Sequence, residues 1–287
     1  MIEYFNPAIR RGNSRQSGLG RFLLIMFSSM AVTAAILASS HANAQSRDQG
    51  DDGDWNVTIG AGAIYAPDYE GSNDFQAQPF PFISVAYKDL AYIRGPEIGV
   101  NVLRFQLSED AKLKFGPIAR YRRDRPEDRN KDLAGLGDIG TSIEVGGAGR
   151  VEVGRSWAQL SVAKDVAGGH DGLVAQLEAG VDFDLADRLT LSASGTTSWA
   201  DRKYMASFFS VTPTQSVRSG LPVFNADKGM KDAGASLALT YRLTDHWLVT
   251  ATGGYTRLLS DADRAPIVKL RGSPDQWQGG LFVAYHF

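Results

Sequence analysis

The sequence predicts an all-β protein, a closed antiparallel up-and-down transmembrane β-barrel of about 12 strands that follows a cleaved signal peptide. Three observations predict this fold. Apolar and polar side chains alternate at successive positions in residues 55–287, which is the period of a β-strand. The alternating segments are about 9–11 residues long, the length that a tilted strand needs to cross a bilayer. The connections between them are alternately short and long, as in outer-membrane barrels.

The first 44 residues have the features of an export signal. An arginine-rich start precedes an uncharged, mostly apolar stretch from Phe22 to Ser40. Ala42-Asn43-Ala44 follows, a small-x-small site of the kind that signal peptidase recognises, so cleavage is expected before Gln45. We therefore expect Sec export, a signal peptide at 1–44 and a short acidic periplasmic segment at 45–54. The alternative is an uncleaved anchor, although no stop-transfer charges follow the apolar stretch.

Composition argues against four classes of protein. A hydrophobic fraction of 43% is too high for a disordered chain. The absence of cysteine excludes a disulfide scaffold and a thiolate metal site. The formal charge of −2 provides no excess of basic residues to attract a polyanion, so no nucleic-acid partner is expected.

The predicted strands are residues 55–65, 78–87, 90–94, 98–107, 111–121, 139–152, 157–165, 173–183, 189–199, 233–243, 247–257 and 277–287. Ten strands would also fit, because Gly95-Pro96 interrupts the third and fourth. Pro117, in the fifth, requires a bulge or a position without a backbone hydrogen bond. The long connections, at residues 66–77, 122–138, 200–232 and 258–276, are expected on the outside of the cell.

The last segment shows the alternation most clearly. Its predicted outer face consists of Trp277, Gly279, Leu281, Val283, Tyr285 and Phe287. A soluble sandwich also alternates, but aromatic residues at segment ends and small hydroxylated inner faces favour a membrane barrel. Leu281, Val283, Tyr285 and the terminal Phe287 resemble the assembly signal of Gram-negative barrels, so the barrel-assembly machinery is an expected partner. Outer-membrane lipid and lipopolysaccharide are the others.

Motifs for chemistry are mostly absent. Residues 135–140 match G-x-G-x-x-G, but a charged loop precedes them and a strand follows, so a loop is expected rather than a dinucleotide site. The three histidines after residue 44 are scattered, so no metal site is expected. Twelve-stranded outer-membrane phospholipases have a serine two residues after a histidine, where this chain has Gly172 and Leu248. We expect no catalytic residue and no cofactor.

Several charged residues fall on the inner faces of predicted strands. The candidate lumen charges are Glu144, Glu178, Asp182, Arg120 and Arg242. Isolated buried ions are costly, so these residues either form a salt-bridge network that fills the lumen or line an ion-selective pore. The mixed-charge segment from Arg120 to Asp132 is either a solvated loop or a contact for lipopolysaccharide phosphates.

A family resemblance extends from about residue 55 to the C-terminus. It is carried by the segments Ile59–Gly62, Pro67–Ser72, Tyr121–Arg125, Leu136–Ile139, Gly168–Leu173, Trp199–Asp201, Tyr204-Met205, Phe209–Pro213, Ser219–Pro222, Tyr241–Asp245, Tyr255–Leu259 and Pro266–Val268. Together they resemble the MipA/OmpV family of Gram-negative outer-membrane proteins. The resemblance implies a non-enzymatic scaffold that joins a lytic transglycosylase to a bifunctional, penicillin-binding peptidoglycan synthase.

Two other functions remain open at this stage. A barrel of about twelve strands lies between side-chain-filled and water-filled barrels, so a small-solute channel is one alternative. A surface adhesin that acts through the loop at residues 200–232 is the other. The predicted periplasmic turns are short, whereas a stable interface buries about 800 Å² on each partner.

Overall fold

A computed structural model describes residues 54–287. The predicted signal peptide with its site at Ala42-Asn43-Ala44 and Gln45 lies outside the described residues, as does most of the predicted acidic segment. The described strand segments are β1 Trp55–Pro67, β2 Phe75–Tyr87, β3 Ala91–Arg94, β4 Glu97–Val100, β5 Leu103–Gln106, β6 Ala111–Arg122, β7 Ser142–Val153, β8 Ser156–Asp165, β9 Leu173–Ala186, β10 Leu189–Ala200, β11 Gly229–Arg242, β12 Trp247–Leu258 and β13 Asp275–His286.

These segments form a closed antiparallel barrel of twelve strands. β4 and β5 are two halves of one strand, because both pair with β6. Every other strand pairs with its neighbours in the chain, and β1 pairs with β13. The predicted fold and strand number are confirmed, and the ten-strand alternative is wrong.

Pro117 in β6 explains why the fourth strand is broken. Tyr121 donates its backbone N–H to the Pro96 carbonyl at 2.9 Å, so the odd-numbered residues of β6 face this strand. Pro117 has no N–H to donate on that side. Beside it, a Cβ on Gly116 would lie 1.6 Å from the Val100 carbonyl oxygen, so the backbones approach closely where the strand breaks.

The wall between β2 and β6 is formed by the short β3–β4 hairpin. The ladder between β2 and β3 covers Ser84–Tyr87, although β2 pairs with β1 along its whole length. Ile83 accepts the Gly95 N–H at 3.2 Å, so the odd-numbered backbone groups of β2 face the hairpin side. Pro79 and Pro81 therefore place their missing N–H groups on this side, which discourages pairing with another strand.

The outer surface has the apolar character that the alternation predicts. In β13 the side chains of Leu281 and Val283 are 57% and 44% exposed, whereas the inward Phe282 is 2% exposed. Inside the barrel, Phe282 packs with Ile64 and Phe80 in a small apolar cluster on the β1–β2–β13 wall. Apolar side chains thus face lipid around the strands.

Four short helices lie in the two largest loops, where the sequence analysis assigned none: α1 Arg202–Phe209, α2 Pro213–Ser219, α3 Ser260–Arg264 and α4 Pro266–Arg271. Asp201 caps α1 by accepting the Tyr204 N–H at 2.9 Å. Thr212 and Gln215 form a capping box at the start of α2, and Gly220 ends it with φ 75°. Among residues 54–287, no helix is long and apolar enough to cross a membrane.

Some strand boundaries differ from the predicted ones. The predicted strand at 139–152 begins at Ser142, because Ile139 forms an isolated bridge with Arg125 in the preceding loop. The predicted strand at 233–243 begins four residues earlier, at Gly229, because its partner β10 continues to Ala200 after a register shift at Ser198/Trp199. Both differences arise from backbone pairing between segments at the loop ends of the strands. The alternation of apolar and polar residues carries no information about that pairing.

The seam between the first and last strands requires glycine. A Cβ on Gly62 would lie 2.1 Å from the Leu281 carbonyl oxygen, whereas a Cβ on Gly253 meets nothing within 4 Å. We expect Gly62→Ala to destabilise the barrel by about 1–3 kcal/mol through overpacking. Gly253→Ala, the matched control, is expected to stabilise it by about 0.5–1 kcal/mol. Urea unfolding of protein refolded into lipid vesicles measures both, and equal stabilities would contradict the assigned seam.

Candidate functional site

The interior of the barrel has two chemically different walls. β6–β9 contribute long charged side chains, among them Lys114, Arg150 and Glu178, which are all less than 9% exposed. β10–β12 contribute buried hydroxyl groups such as those of Ser192 and Thr250. The candidate site is therefore the charged wall together with the loops that cover it.

A first group of paired charges lies near the short-turn end of the lumen. The Lys114 ammonium is 2.8 Å from Asp89 and 3.0 Å from Glu152. Glu152 also accepts a hydrogen bond from Arg150 at 2.7 Å, and the Arg150 guanidinium lies 4.2 Å from the centre of the Trp157 ring. These long side chains occupy the lumen at this level.

A second group lies in the middle of the barrel and is centred on Arg120. Its Nη2 is 2.6 Å from Glu97, which also accepts a hydrogen bond from the Tyr92 hydroxyl at 3.1 Å. Arg120 donates to the Ser161 hydroxyl at 3.3 Å from the other side. The space left beside this group is a cavity of about 40 Å³, and Glu178 is part of its wall.

Glu144 is the centre of a third group, below the loops. Its carboxylate is completely buried. Arg122 Nε lies 2.6 Å from Glu144 Oε1, His170 Nε2 lies 3.1 Å from the same oxygen, and Arg120 Nη1 lies 3.7 Å from Oε2. One buried carboxylate thus joins two strands to the loop between β8 and β9.

Tyr204 of helix α1 connects this group to the loop between β1 and β2. Its ring contacts His170 edge-to-face at 4.8 Å, and its hydroxyl donates to Glu70 at 3.0 Å. Glu70 also contacts the ammonium of Lys231, which in turn contacts Asp232. Burial raises the pKa of the Tyr204 hydroxyl, so Tyr204 remains a neutral donor.

The loop-end helices and the β6–β7 loop form a lid over the lumen, which we define as residues 123–141, 201–228 and 259–274. Its apolar core contains Leu133, Met205, Phe209 and Val268, each completely buried. Polar contacts join its segments: Arg271 donates to the Asp132 carbonyl oxygen at 3.0 Å, for example. The lid is a small packed core of its own at the mouth of the barrel.

The glycine-rich segment at residues 135–140 encloses a side chain of the protein itself. The backbone N–H groups of Gly135 and Gly137 donate to one carboxylate oxygen of Glu127 at 3.0 and 2.9 Å. Both glycines have positive φ, 85° and 78°, a conformation that favours glycine. No helix follows this segment, so it binds an internal carboxylate where a dinucleotide loop would bind phosphate.

A larger cavity of about 170 Å³ lies between the lid and the barrel wall. Residues from the loops and from the loop ends of strands line it, including Tyr69, Arg125, Phe208 and Lys231. It is about four times as large as the cavity beside Arg120.

The predicted lumen charges are mostly buried. The exposed fractions of Arg120, Glu144, Glu178 and Asp182 are 6%, 0%, 6% and 5%. The structure brings Arg120 and Glu144 together, and places Asp182 closer to the turn end, where it accepts a hydrogen bond from Ser192 at 2.6 Å. Arg242 is half-buried at the turn end of β11. Phe287 is 62% exposed, and its backbone N–H donates to Val57 at 3.0 Å.

His170, Tyr204 and Arg125 lie in one site, although their positions in the sequence did not predict this. The turn-like sequence Gly168–Gly172 predicted that His170 lies in an external loop. No residue near it in the sequence indicated that Glu144 is its partner. The available signal was the resemblance itself, since Pro67–Ser72, Tyr121–Arg125 and Tyr204-Met205 were among its segments and now meet under the lid.

The described residues contain no group of three or more histidine, cysteine or acidic side chains arranged to hold a metal ion. The carboxylates of Glu97, Glu144 and Glu70 instead lie beside arginine or lysine side chains. The arrangement places paired charges at several levels of the lumen and leaves a cavity with a basic lining under the lid.

Sequence comparison gives one family over most of the chain. The family described as "MltA-interacting protein MipA" matches residues 59–287. Outer membrane protein Omp26La of Vibrio anguillarum and outer membrane protein OmpV of Vibrio cholerae serotype O1 are each 49% identical over 49 residues. That stretch is 17% of this chain and 18% of each relative, so the match spans less than a fifth of either relative.

Structure comparison gives outer-membrane barrels of low sequence identity. The NanC porin is 10% identical, with a TM-score of 0.42 over 80% of this chain and 98% of that chain. The translocator domain of the autotransporter NalP from Neisseria meningitidis is 12% identical, with a TM-score of 0.37 over 89% and 96%.

Proposed function

This chain belongs to the MipA family of outer-membrane β-barrel proteins, and from that premise we propose that it is a non-enzymatic scaffold in the outer membrane. In this proposal its short turns face the periplasm and bind peptidoglycan-remodelling enzymes, a lytic transglycosylase and a bifunctional synthase. The family description names an interaction with MltA, and we extend that interaction to this chain.

The filled interior is the observation that supports a scaffold over a channel. Paired charges occupy the lumen at three levels, around Lys114, Arg120 and Glu144. The lid packs an apolar core over the loop end. A barrel filled in this way offers its two ends, and not its interior, as functional surfaces.

The turn end presents charged groups on short connections. Lys88, Arg155, Asp187, Arg188 and Asp245 are all exposed there. This surface is small compared with the roughly 800 Å² that a stable interface buries on each partner. We therefore expect a weak, reversible contact in which charge complementarity sets the association rate.

The test is a binding measurement between the full processed chain in uncharged detergent and a purified lytic transglycosylase without its lipid anchor. We expect saturable binding, and expect the variant Asp187→Lys/Asp245→Lys to weaken it several-fold with an altered salt dependence. Val217→Lys, on the 88% exposed position of the lid, is the matched control and is expected to bind as the wild type does. Absence of binding, or equal binding by the turn variant, would contradict the scaffold.

A planar-bilayer recording tests the channel alternative with the same protein. The wild type is expected to give no conductance steps, because buried ion pairs occupy the lumen. Stable open steps from the folded wild type would favour a solute channel instead.

A further inference from the structure

The cavity under the lid has a buried arginine without a counter-ion. We propose that it binds a dianionic phosphate group through Arg125 and Tyr69. This site is independent of the turn-end scaffold surface, since it lies at the opposite end of the barrel.

Arg125 is held in place by its backbone, which pairs with Ile139 at 2.9 and 3.0 Å. Its side chain is 6% exposed, and within residues 54–287 no carboxylate lies within ion-pair distance of it. Its Nε has no hydrogen-bond partner, and its Nη1 reaches only the Phe208 carbonyl, at 3.4 Å. A buried guanidinium in this state has donors available for a ligand.

Neighbouring arginines in the lining are different, because each has a carboxylate. Arg122 lies 2.6 Å from Glu144, and Arg129 lies 3.1 Å from Asp124. Burial without a counter-ion lowers the pKa of Arg125 to about 10, so it is still charged at neutral pH. Uncompensated buried charge is costly, and an anionic ligand would supply the missing partner.

Tyr69 provides a second donor in the same cavity. Its side chain is 2% exposed, and its hydroxyl makes no hydrogen bond of normal length among the described residues, Ser72 being a nearby polar side chain. Burial raises the pKa of Tyr69 to about 12, so the hydroxyl stays protonated and is able to donate. Two polar groups that lack partners therefore line one cavity.

The charge of the lining and its two unpartnered donors together favour a phosphate group as the ligand. Five basic and three acidic side chains line the cavity, and Glu144, behind the lining, is the partner of one of the five, Arg122, which leaves an excess of one positive charge. A phosphate group has three acceptor oxygens and about −1.5 to −2 charges at neutral pH, so it offers acceptors to both Arg125 and Tyr69, whereas a carboxylate has two oxygens and one charge. The volume of about 170 Å³ accommodates the phosphate and a small attached group. The phosphate belongs either to a lipid headgroup or to a free solute.

The experiment is calorimetric titration of inorganic phosphate into the full processed chain in uncharged detergent at about pH 8, where phosphate is mostly dianionic. We expect saturable binding to one site. Arg125→Gln is expected to weaken phosphate binding about 10- to 100-fold, the loss of affinity expected when a hydrogen bond from a charged group is removed. Arg202→Gln is the matched control, because Arg202 is a 73% exposed arginine of the lid paired with Asp227, and it is expected to bind as the wild type does.

Tyr69→Phe separates binding from folding. The hydroxyl makes no hydrogen bond of normal length that the variant would lose, so we expect the empty variant to be as stable as the wild type but to bind phosphate several-fold more weakly. The proposal is wrong if the wild type shows no saturable phosphate binding, if both variants bind phosphate as the wild type does, or if acetate binds as tightly as phosphate.

A competition experiment identifies the source of the phosphate. Displacement of bound phosphate by lipopolysaccharide micelles would assign the site to a lipid headgroup. Binding of phosphate that lipopolysaccharide leaves unchanged would assign it to free phosphate or a small phosphorylated solute. Both outcomes support the site, and each names a different ligand.

Discussion

Replacing Glu144 with alanine is expected to destabilise the folded barrel by about 3–5 kcal/mol. Glu144 is completely buried and contacts Arg122 at 2.6 Å and His170 at 3.1 Å. Without it, Arg120 and Arg122 of β6 would lose a shared counter-ion in an interior of low dielectric constant, where an unpaired charge is costly. Urea unfolding of the protein in lipid vesicles measures the change.

The matched control is an ion pair on the surface of the lid. Asp227 lies 3.0 Å from Arg202, but the two side chains are 57% and 73% exposed. Asp227→Ala is expected to cost no more than about 1 kcal/mol, because solvent screens the pair. A double variant, Glu144→Gln with Arg122→Gln, is expected to recover part of the loss by removing both partners. Equal effects of Glu144→Ala and Asp227→Ala would contradict a buried network.

Replacing Phe209 with alanine is expected to open the lid while the barrel stays folded. Phe209 is completely buried in the lid core, where Met205 and Val268 are also buried. Loss of a buried phenyl ring costs about 3–5 kcal/mol. The lid is a small core of short elements, so this loss is expected to exceed its local stability. Limited proteolysis within residues 200–228 is expected to become much faster.

Val217 provides the control for this prediction. Its side chain is 88% exposed on α2, so Val217→Ala is expected to leave the proteolysis rate of the lid unchanged. Heat-modifiable migration in gels is expected to show a folded barrel in both variants. Unchanged proteolysis of Phe209→Ala would mean that the lid does not depend on its apolar core.

The barrel could be predicted because the membrane acts on every residue of a strand. One face of each strand contacts lipid hydrocarbon and the other faces the narrow lumen, which produces the alternation seen from Trp277 to Phe287. Each strand shows this alternation in its own sequence, whichever strands it pairs with. Pro117 was also informative: it predicted a bulge or a position without a backbone hydrogen bond, and the structure has a break in the facing strand between Val100 and Leu103.

The lid could not be predicted in the same way. Its helices have 5 to 8 residues, too few to be stable without tertiary packing, and their apolar residues are distributed over separate loops. Capping residues such as Asp201 and Thr212 are visible in the sequence, but they mark a helix only where a core stabilises it.

The sequence by itself determined that this protein is a transmembrane barrel, because facing lipid on one side and the lumen on the other is a local constraint. Only the tertiary structure decided which charges are paired. Glu144 meets Arg122 and His170 through strand register and loop packing, and Arg125 is left without a carboxylate by the same packing. Ion pairing between residues far apart in the sequence depends on strand register and loop packing, which the sequence of a single segment does not specify.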